Sequence, residues 1–481
     1  MACNSKSDPE EEEENVAVVN VANVAVTSFS LKSNSKVAAH LDSVFFSIDL
    51  EQGVIYNADS LPKGTKIDKL VPEIKYSDFI ASAVIKVVND STTTYDYYQH
   101  PNDTIDFRGD VTLSLATHND DMKKDYRIKI NIHQQDPDSL VWEEMAVTGL
   151  PSRQPNPVSM GMATLKDKVY CFILESAGVY TVSTTDNLYS GIWNKTPYNV
   201  NTIYRTETFT ASSDSLYILD RDNHLFSSVD GLNWNFTGRT WISILGGYEN
   251  SVLGLEETPD GIFYSQYPLA GLTSSPIATD FPLSGTSQLG TISTPWSQNP
   301  IAIMAGGVTS DGPTSSVWGF DGTSWARLSS GNLPNIEGAT LVPYYAYRNL
   351  SSNIRPTELH VWMLFGGRKA DGSMNRDTYL SYDNGISWGK ASEGLQLPSV
   401  VPSMMMARAA VENHEYSTDI SKAWTVKAKS PATRADWTID GNTLSWQCPY
   451  IYLFGGYDAQ GNLYDTIWRA AINRLRFAPL I

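Results

Sequence analysis

Residues 361–388 decide the fold of this chain, and they read VWMLFGGRKADGSMNRDTYLSYDNGISW. The segment opens with an apolar run, continues with a glycine pair, and ends on Trp388. Two further segments keep the same order, namely residues 301–325, IAIMAGGVTSDGPTSSVWGFDGTSW, and residues 451–477, IYLFGGYDAQGNLYDTIWRAAINRLRF. A unit that recurs in this way indicates a repeat architecture.

Weaker copies of the unit fill the space that precedes residue 301. Residues 216–234 lead from LYILD to SVDGLNW, and shorter matches begin at residues 169 and 252. The apolar runs therefore begin near residues 169, 216, 252, 301, 361 and 451. We predict six units within residues 140–481, each forming one blade of a β-propeller.

Each part of the unit has a physical role in such a blade. The apolar run predicts a strand buried on both faces, and the glycine pair allows positive φ and close backbone approach. An Asp side chain can hold the following turn, and the final Trp fills space between neighbouring blades. A single blade would leave both faces of its sheet exposed to water, so a closed ring of blades is expected. The positions expected to carry these roles are Gly306, Gly307, Gly366, Gly367, Gly455, Gly456, Asp230, Trp234, Asp321, Trp325, Asp383 and Trp388.

The order of Gly-Gly, Asp-Thr and a final Trp resembles the blades of kelch and galactose-oxidase-like propellers. Residues 381–388, SYDNGISW, also resemble the Asp-box turns of sialidase propellers, and residues 228–234 form the same box one residue short. The kelch resemblance implies a fold, and it leaves the function open because propellers serve as enzymes and as binding proteins.

These resemblances also imply sites that can be tested against the sequence. Galactose oxidases would imply copper held by two His and two Tyr, but His224, His360 and His414 show no ligand spacing. We therefore expect no metal and no cofactor. Sialidases would imply three arginines around a carboxylate. Arg408 begins a strand where kelch units often carry Arg, so we expect a structural role for it.

The first part of the chain differs in composition, because all 13 Trp lie at Trp142 or later. Alternating apolar and polar residues in segments such as 44–50, 111–115 and 126–133 predict short strands with one buried face. We predict an Ig-like β-sandwich over residues 20–134, from strand pattern alone. Trp142, just after the boundary, could supply an outer strand to the last blade, unless residues 473–480 already provide it.

The N-terminal residues predict the location of the protein in the cell. Cys3 follows a small residue, and Glu10–Glu14 belong to an acidic stretch behind it. This resembles the start of a mature lipoprotein with the surface-export signal of Bacteroidetes, and the whole arrangement resembles uncharacterised surface lipoproteins of that group. We predict a disordered acidic tail over residues 1–19, lipidation of Cys3, and a place at the outer-membrane surface. The apolar signal segment that should precede Cys3 is not part of this chain.

Charge limits the class of partner. The chain has 35 Lys and Arg against 53 Asp and Glu, a formal net charge of −18, and no basic cluster. Nucleic-acid binding needs basic residues that neutralise phosphates, so we exclude it. No run of 18 apolar residues occurs, so the lipid anchor is the one membrane contact that we expect.

Two long connections are the candidate binding region. About 40 residues separate Ala410 from Ile451 where a short turn would suffice, and residues 344–359 form a second extended connection. Both join the first two strands of a blade and should emerge on one face, where aromatic side chains could bind a glycan or a surface protein. Alternatively, the aromatics only pack the insertion onto the ring. The candidate ligand-binding residues are Tyr416, Trp424, Trp437, Tyr344 and Tyr345.

Catalysis remains the second hypothesis, and a structural role in an outer-membrane complex is the third. The sequence has no GxSxG, HExxH or P-loop motif, so we name no catalytic residue and favour binding without turnover. The alternative is a glycan-active hydrolase or lyase with its site at the central mouth of the ring. That alternative predicts acidic or arginine side chains that converge there from several blades.

Overall fold

The computed structural model describes residues 24–118, 122–134, 136–145, 149–268, 276–293, 298–328, 332–347, 358–420 and 437–478. The chain divides into two compact units, residues 1–136 and 137–481. Both units are built from strands. Cys3, the predicted tail and Trp424 lie outside the described residues. Among the helices that are described, none has the length and apolarity needed to span a membrane.

The N-terminal unit consists of one large and one small sheet. Its strands are β1 (Val26–Leu31), β2 (Phe46–Asp49), β3 (Val54–Asn57), β4 (Pro72–Tyr76), β5 (Ile80–Val88), β6 (Thr92–Asp96), β7 (Asp110–Thr117) and β8 (Lys123–Lys129). The large sheet has the order β2-β3-β8-β7-β5-β6, in which β3 and β8 are parallel and the other pairs antiparallel. Strands β1 and β4 form the small sheet.

Two buried tyrosines join these sheets. The Tyr126 hydroxyl donates to the Val24 carbonyl at 3.2 Å and accepts the Val26 N–H at 3.3 Å. The Tyr97 hydroxyl, from the end of β6, accepts the Ile74 N–H at 2.8 Å. The alternating residues of β7 and β8 face a common core, as their period predicts. The six-plus-two division and the parallel pair are features that the predicted Ig-like sandwich did not include, and the Ig type remains a prediction.

The second unit contains six larger sheets among its described residues, here called sheets 1 to 6. Their strands in chain order, with two short pairs, are β9 (Leu140–Glu144), β10 (Ser159–Leu165), β11 (Lys168–Ser176), β12 (Val179–Thr185), β13 (Asn194–Asn199), β14 (Tyr204–Ala211), β15 (Leu216–Asp220), β16 (His224–Ser228), β17 (Asn235–Thr240), β18 (Ser243–Tyr248), β19 (Ser251–Thr258), β20 (Gly261–Tyr267), β21 (Gly290–Ile292), β22 (Ile301–Ala305), β23 (Val308–Thr309), β24 (Gly312–Pro313), β25 (Val317–Phe320), β26 (Trp325–Leu328), β27 (Ile336–Glu337), β28 (Thr340–Tyr347), β29 (Glu358–Phe365), β30 (Arg368–Lys369), β31 (Tyr379–Ser381), β32 (Gly389–Lys390), β33 (Arg408–Asp419), β34 (Trp437–Asp440), β35 (Thr443–Phe454) and β36 (Ile467–Ile472). The remaining elements are 3-10 turns at Leu41–Ser43 and Glu393–Leu395 and the helix α1 at Asn473–Arg476.

The strand order explains why the apolar runs are where they are. Sheets 1 to 5 have the orders β10-β11-β12-β13, β14-β15-β16-β17, β18-β19-β20, β21-β22-β25-β26 and β28-β29-β31-β32, and sheet 6 has the order β33-β35-β36-β9 with β34 paired to β35. Each predicted apolar run is the second strand of its sheet and has a neighbour on either side. First strands of neighbouring sheets touch in five cases, namely β10 with β14, β14 with β18, β21 with β28, β28 with β33, and β33 with β10.

The glycine pairs have the backbone geometry that their sequence predicts. All six glycines have positive φ, between 57° and 109°, a region that disfavours other residues. In two of the three pairs, the first glycine also lies against a neighbouring backbone, whereas Gly455 faces side chains. A Cβ at position 306 would be 2.4 Å from the Ile336 carbonyl oxygen, and one at position 366 would be 2.7 Å from that of Met404.

The Asp-box turns are closed by the Asp and Trp side chains. Asp230 Oδ1 accepts the N–H groups of Leu232 and Asn233 at 2.9 and 2.8 Å, and hydrogen bonds lower its pKa to about 2 against the opposing effect of burial. Trp234 Nε1 donates to the Gly231 carbonyl at 2.9 Å. The second box is built in the same way, since Trp388 Nε1 donates to Gly385 at 3.1 Å.

The tryptophans differ in burial. Trp388 is 2% exposed, whereas Trp234 and Trp325 are half-buried. Trp234 of sheet 2 packs on Phe172 of sheet 1, and Trp325 of sheet 4 packs on Tyr264 of sheet 3. The final Trp of the unit is therefore fully buried in sheet 5 and only half-buried in sheets 2 and 4.

The first strand of this unit completes its last sheet. Strand β9 pairs antiparallel with β36, from Leu140 opposite Ile472 to Glu144 opposite Trp468. Trp142 is buried, with its ring 5.7 Å from that of Phe365. The alternative source of this strand, residues 473–480, is wrong, because Asn473–Arg476 form α1. Residues from the two ends of the unit are thus held in one sheet.

Candidate functional site

The predicted insertion is largely a long hairpin. Strands β33 and β35 pair over twelve positions, from Arg408 opposite Phe454 to Asp419 opposite Thr443. Strand β36 covers only the Ile451–Phe454 end of β35, so the outer half of the hairpin extends beyond the regular sheet. Strand β34 borders that outer half, with Trp437 opposite Trp446 in the backbone register.

Aromatic side chains cover one face of the hairpin. We call Tyr189, His414, Tyr416, Trp446 and Tyr450 the hairpin platform. Tyr416 stacks on Trp446 with ring centres 5.4 Å apart, and its hydroxyl lies 2.6 Å from that of Tyr450. Tyr189, from the loop between β12 and β13, stacks on His414 at 3.4 Å and 7°. The platform therefore joins sheet 6 to sheet 1.

Two arginines border the platform on its inner side. The Arg469 guanidinium lies 4.5 Å from the Tyr189 ring centre, and its Nε is 2.9 Å from Glu143 Oε1. Arg476 Nη2 is 4.0 Å from the same oxygen. Burial acts to lower the pKa of both guanidinium groups, but Glu143 and nearby tyrosines outweigh it, so the pKa of each is raised. Glu412, which lies opposite Tyr450 in the register and accepts the Leu188 N–H, is a second carboxylate beside these two cations.

Burial favours the uncharged forms of His414, Tyr450 and Tyr189. Burial, and then the charge of Arg469, lowers the pKa of His414, so the imidazole is neutral at pH 7. Burial likewise raises the pKa of the Tyr450 and Tyr189 hydroxyls. Neutral hydroxyl and imidazole groups can donate or accept hydrogen bonds, so this surface suits a polar ligand.

Exposed apolar side chains stand on the elements that carry the platform. Ile192, three residues after Tyr189, is 75% exposed, and Ile439 on β34 is 47% exposed. Tyr189, His414 and Tyr416 are half-buried, whereas Trp446 is buried. The platform thus combines a packed interior with a partly open edge. Exposed apolar groups next to aromatic and arginine side chains are typical of binding surfaces.

The structure separates the five predicted ligand-binding residues. Tyr416 belongs to the platform. Tyr344 as a ligand-binding residue is wrong, because it is 1% exposed and its hydroxyl donates to the Pro449 carbonyl at 3.0 Å. It instead ties β28 to the neighbouring sheet 6. Tyr345 and Trp437 lie in strands β28 and β34, but their side chains are outside the described part of the chain, as is all of Trp424.

Tyr189, Tyr450, Arg469 and Arg476 were not predicted from the sequence. Tyr450 could have been found, because Leu444, Trp446, Cys448 and Tyr450 alternate with polar or small residues, the signature of a strand face. Tyr189 and the arginines carry no such signal, since they reach the platform from other elements.

One group of side chains has a geometry that could hold a metal ion. Asp220, Asp222 and His224 bring their ligand atoms within 4.8 Å of one another. The Asp220 carboxylate accepts the N–H groups of Asp222 and His224, each at 2.9 Å, and meets His224 Nδ1 at 2.9 Å. These bonds close the turn between β15 and β16 and account for the grouping by themselves.

Comparison with solved structures finds distant likenesses. The SapL1 lectin in complex with alpha methyl fucoside aligns at 13% identity and a TM-score of 0.36, covering 65% of this chain and 97% of that one. YCF48 bound to D1 peptide aligns at 9% identity and a TM-score of 0.30, covering 70% of this chain and 96% of that one. The WD40 domain of SCAP from fission yeast aligns at 8% identity and a TM-score of 0.26, covering 70% of this chain and 99% of that one. Likenesses at this level carry no argument about ligands.

Family models match both units. The model described as DUF6242 N-terminal domain, a domain of unknown function, matches residues 20–130. The model described as DUF6242 beta propeller domain matches residues 136–480. No curated protein is significantly similar in sequence. With strands throughout and a family match that spans most of its length, this chain belongs to the DUF6242 family and carries the family's β-propeller domain.

Proposed function

We propose that the propeller is a non-catalytic recognition module that binds a glycan or a surface protein through the hairpin platform. The observation that carries this proposal is the hairpin of twelve paired positions, whose outer half has no role in the regular sheet. The stacks of Tyr416 on Trp446 and of Tyr189 on His414 hold that outer half in place. A surface that is rigid before binding loses less entropy when a partner docks.

The chemistry of the platform supports both partner classes. Aromatic edges and apolar groups such as Ile439 provide contact area, while Arg476 and the tyrosine hydroxyls supply hydrogen bonds. Tyrosine and arginine are enriched where binding energy is concentrated. The turn of the β28–β29 hairpin lies at the same end of the strands as the turn of the β33–β35 hairpin, because both hairpins join the first and second strands of their sheets. Both therefore belong to one face.

Substitutions on β34, the strand that borders the platform, should weaken ligand capture without changing stability. We expect Ile439→Ser and Trp437→Ala each to reduce capture by about tenfold or more, as for central interface residues. Ile439 is 47% exposed, so its loss should leave the unfolding midpoint nearly unchanged. The measurement is binding of the intact chain to a glycan array, followed by titration of the retained glycan. A surface-protein partner would be titrated in the same way.

The matched control is Val400→Ser. Val400 is 63% exposed and lies between β32 and β33, at the opposite end of the strands. Equal loss of capture in Val400→Ser and Ile439→Ser would contradict the assignment of ligand binding to the face that carries the platform. Unfolding of Ile439→Ser with unchanged capture would indicate that the platform only packs the insertion.

The alternative function is a glycan-active hydrolase or lyase, and one observation favours it. Glu207 and Arg408, from different sheets, both line a cavity among the first strands, as a site at the central mouth requires. Among the described lining residues Glu207 is the one carboxylate, whereas hydrolysis by the usual route uses two. Release of product from sialosides, uronic-acid polymers or galactosides, lost in Glu207→Gln, would establish this alternative instead.

We further propose that six kelch-like blades form the closed ring, with an Ig-like spacer between it and a lipid anchor at Cys3. The motive for the anchor is Cys3 and the acidic stretch behind it. Expressed behind a lipoprotein signal segment, the chain should incorporate a fatty-acid analogue and partition into detergent, and Cys3→Ala should abolish both. Soluble secretion of the unsubstituted chain would refute the surface-lipoprotein address.

A further inference from the structure

A cavity lies among the first strands of the second unit and is separate from the hairpin platform. Its volume is about 350 Å³, and its lining comes from β10, β14, β18, β33 and the residues around β21. Small-molecule pockets begin at about 300 Å³, so this one suits a ligand of about one sugar ring. Four threonines line it; the Thr208 hydroxyl donates to the Arg205 carbonyl, which leaves those of Thr164, Thr210 and Thr291.

The two charged side chains that line the cavity have different partners. Arg408 and Glu207 are the charged lining residues. The Glu207 carboxylate is already paired with Arg205, whose Nε lies 3.0 Å from Oε1. Arg408 donates from Nη2 to the backbone carbonyl of Glu207 and, within the described residues, forms no ion pair with a carboxylate. Among the described residues, therefore, the Arg408 guanidinium feels the nearby charge of Glu207 but forms no ion pair with it or with another carboxylate.

The position of Arg408 is set by its neighbours. Gln288 donates to the Ala409 carbonyl at 2.8 Å and accepts the Ala409 N–H at 2.9 Å, which fixes the start of β33. Arg408 remains partly accessible because it lines the cavity, yet the surrounding protein removes enough water to lower the pKa of its guanidinium. An oxyanion in the cavity would restore the lost solvation by charge-assisted hydrogen bonds.

We propose that this cavity binds a small carboxylate ligand, with the Arg408 guanidinium as its anion-binding group. The planar guanidinium can hold a carboxylate through two parallel hydrogen bonds, and the threonine hydroxyls can bind the rest of a polar ligand. This cavity is separate from the hairpin platform, and a partner that binds the platform does not require the cavity to be occupied.

Isothermal titration calorimetry of the full chain at low ionic strength tests this site, with D-glucuronate, acetate and D-glucose as probes. D-glucuronate should bind at one saturable site, and neutral D-glucose should not. Arg408→Gln should weaken binding by about tenfold or more, the effect of removing charge-assisted hydrogen bonds. If acetate binds as tightly as D-glucuronate, the ligand class is a small organic acid. If acetate binds much more weakly, the ligand class is a sugar acid.

Two further variants keep the outcome decisive if Arg408→Gln fails to fold. Glu207→Gln removes the negative charge and frees Arg205, so carboxylate affinity should rise several-fold, and unchanged or weaker binding would overturn the proposal. Arg327→Gln, which breaks a surface pair with Asp280, should leave binding as it is. The absence of D-glucuronate and acetate binding, or equal binding in Arg408→Gln, would also overturn the site.

Discussion

Replacing Trp388 with alanine should lower the free energy of unfolding by about 3 to 5 kcal/mol, the usual loss for a large aromatic residue in a packed core. The ring is 2% exposed and packs in a cluster that includes Ile303 of sheet 4 and Tyr379 of sheet 5. Its removal would leave a cavity between two sheets and an unpaired Gly385 carbonyl in the Asp-box turn. Urea unfolding of the intact chain measures the loss.

Trp325→Ala is the control for this prediction. Trp325 ends the equivalent unit in sheet 4 but is half-buried, so part of its apolar area is already in water. Its substitution should cost about 1 to 2 kcal/mol. Equal losses in the two variants would mean that burial between sheets does not set the contribution of these tryptophans.

Gly306→Ala should destabilise the second unit by about 2 to 5 kcal/mol, the sum of left-handed strain and overpacking. Gly306 has φ of 67°, and a Cβ would be 2.4 Å from the Ile336 carbonyl oxygen. That oxygen also accepts the Gly307 N–H at 2.8 Å, so it cannot move away without losing a hydrogen bond. The loss is measured by urea unfolding.

Gly372→Ala separates the two contributions. Gly372 has φ of 82°, but nothing lies within 4 Å of the position of its Cβ. Only the conformational strain remains, and we expect a cost of about 1 to 2 kcal/mol. If both alanine variants lost the same free energy, close backbone approach would not be the reason for the glycine pair.

The repeat illustrates which features local sequence can predict. A glycine pair after an apolar run indicates positive φ at the end of a buried strand, and Gly306 and Gly366 have that geometry. Asp230 and Asp383 close their turns through bonds to residues two to four positions away. These features depend on neighbours in the chain, so they can be read directly from it.

The candidate site was predictable only in part. The length of the insertion indicated its place, and Tyr416 was found in it, but Tyr344 is buried against Pro449. An aromatic residue in an extended segment has the same local signature whether it faces solvent or a neighbouring sheet. Which of these applies depends on the packing of sheets 5 and 6, and that information is spread over distant residues.

The sequence by itself determined the β architecture, the recurring unit and the turns that close it, because short-range sterics and periodicity govern these features. Only the tertiary structure decided that β9 completes sheet 6, that Tyr189 stacks on His414, and that Arg408 and Glu207 line one cavity. Leu140 and Ile472 are paired across more than 300 positions of chain. Such contacts follow from the burial of whole sheets against one another, which no local pattern of residues records.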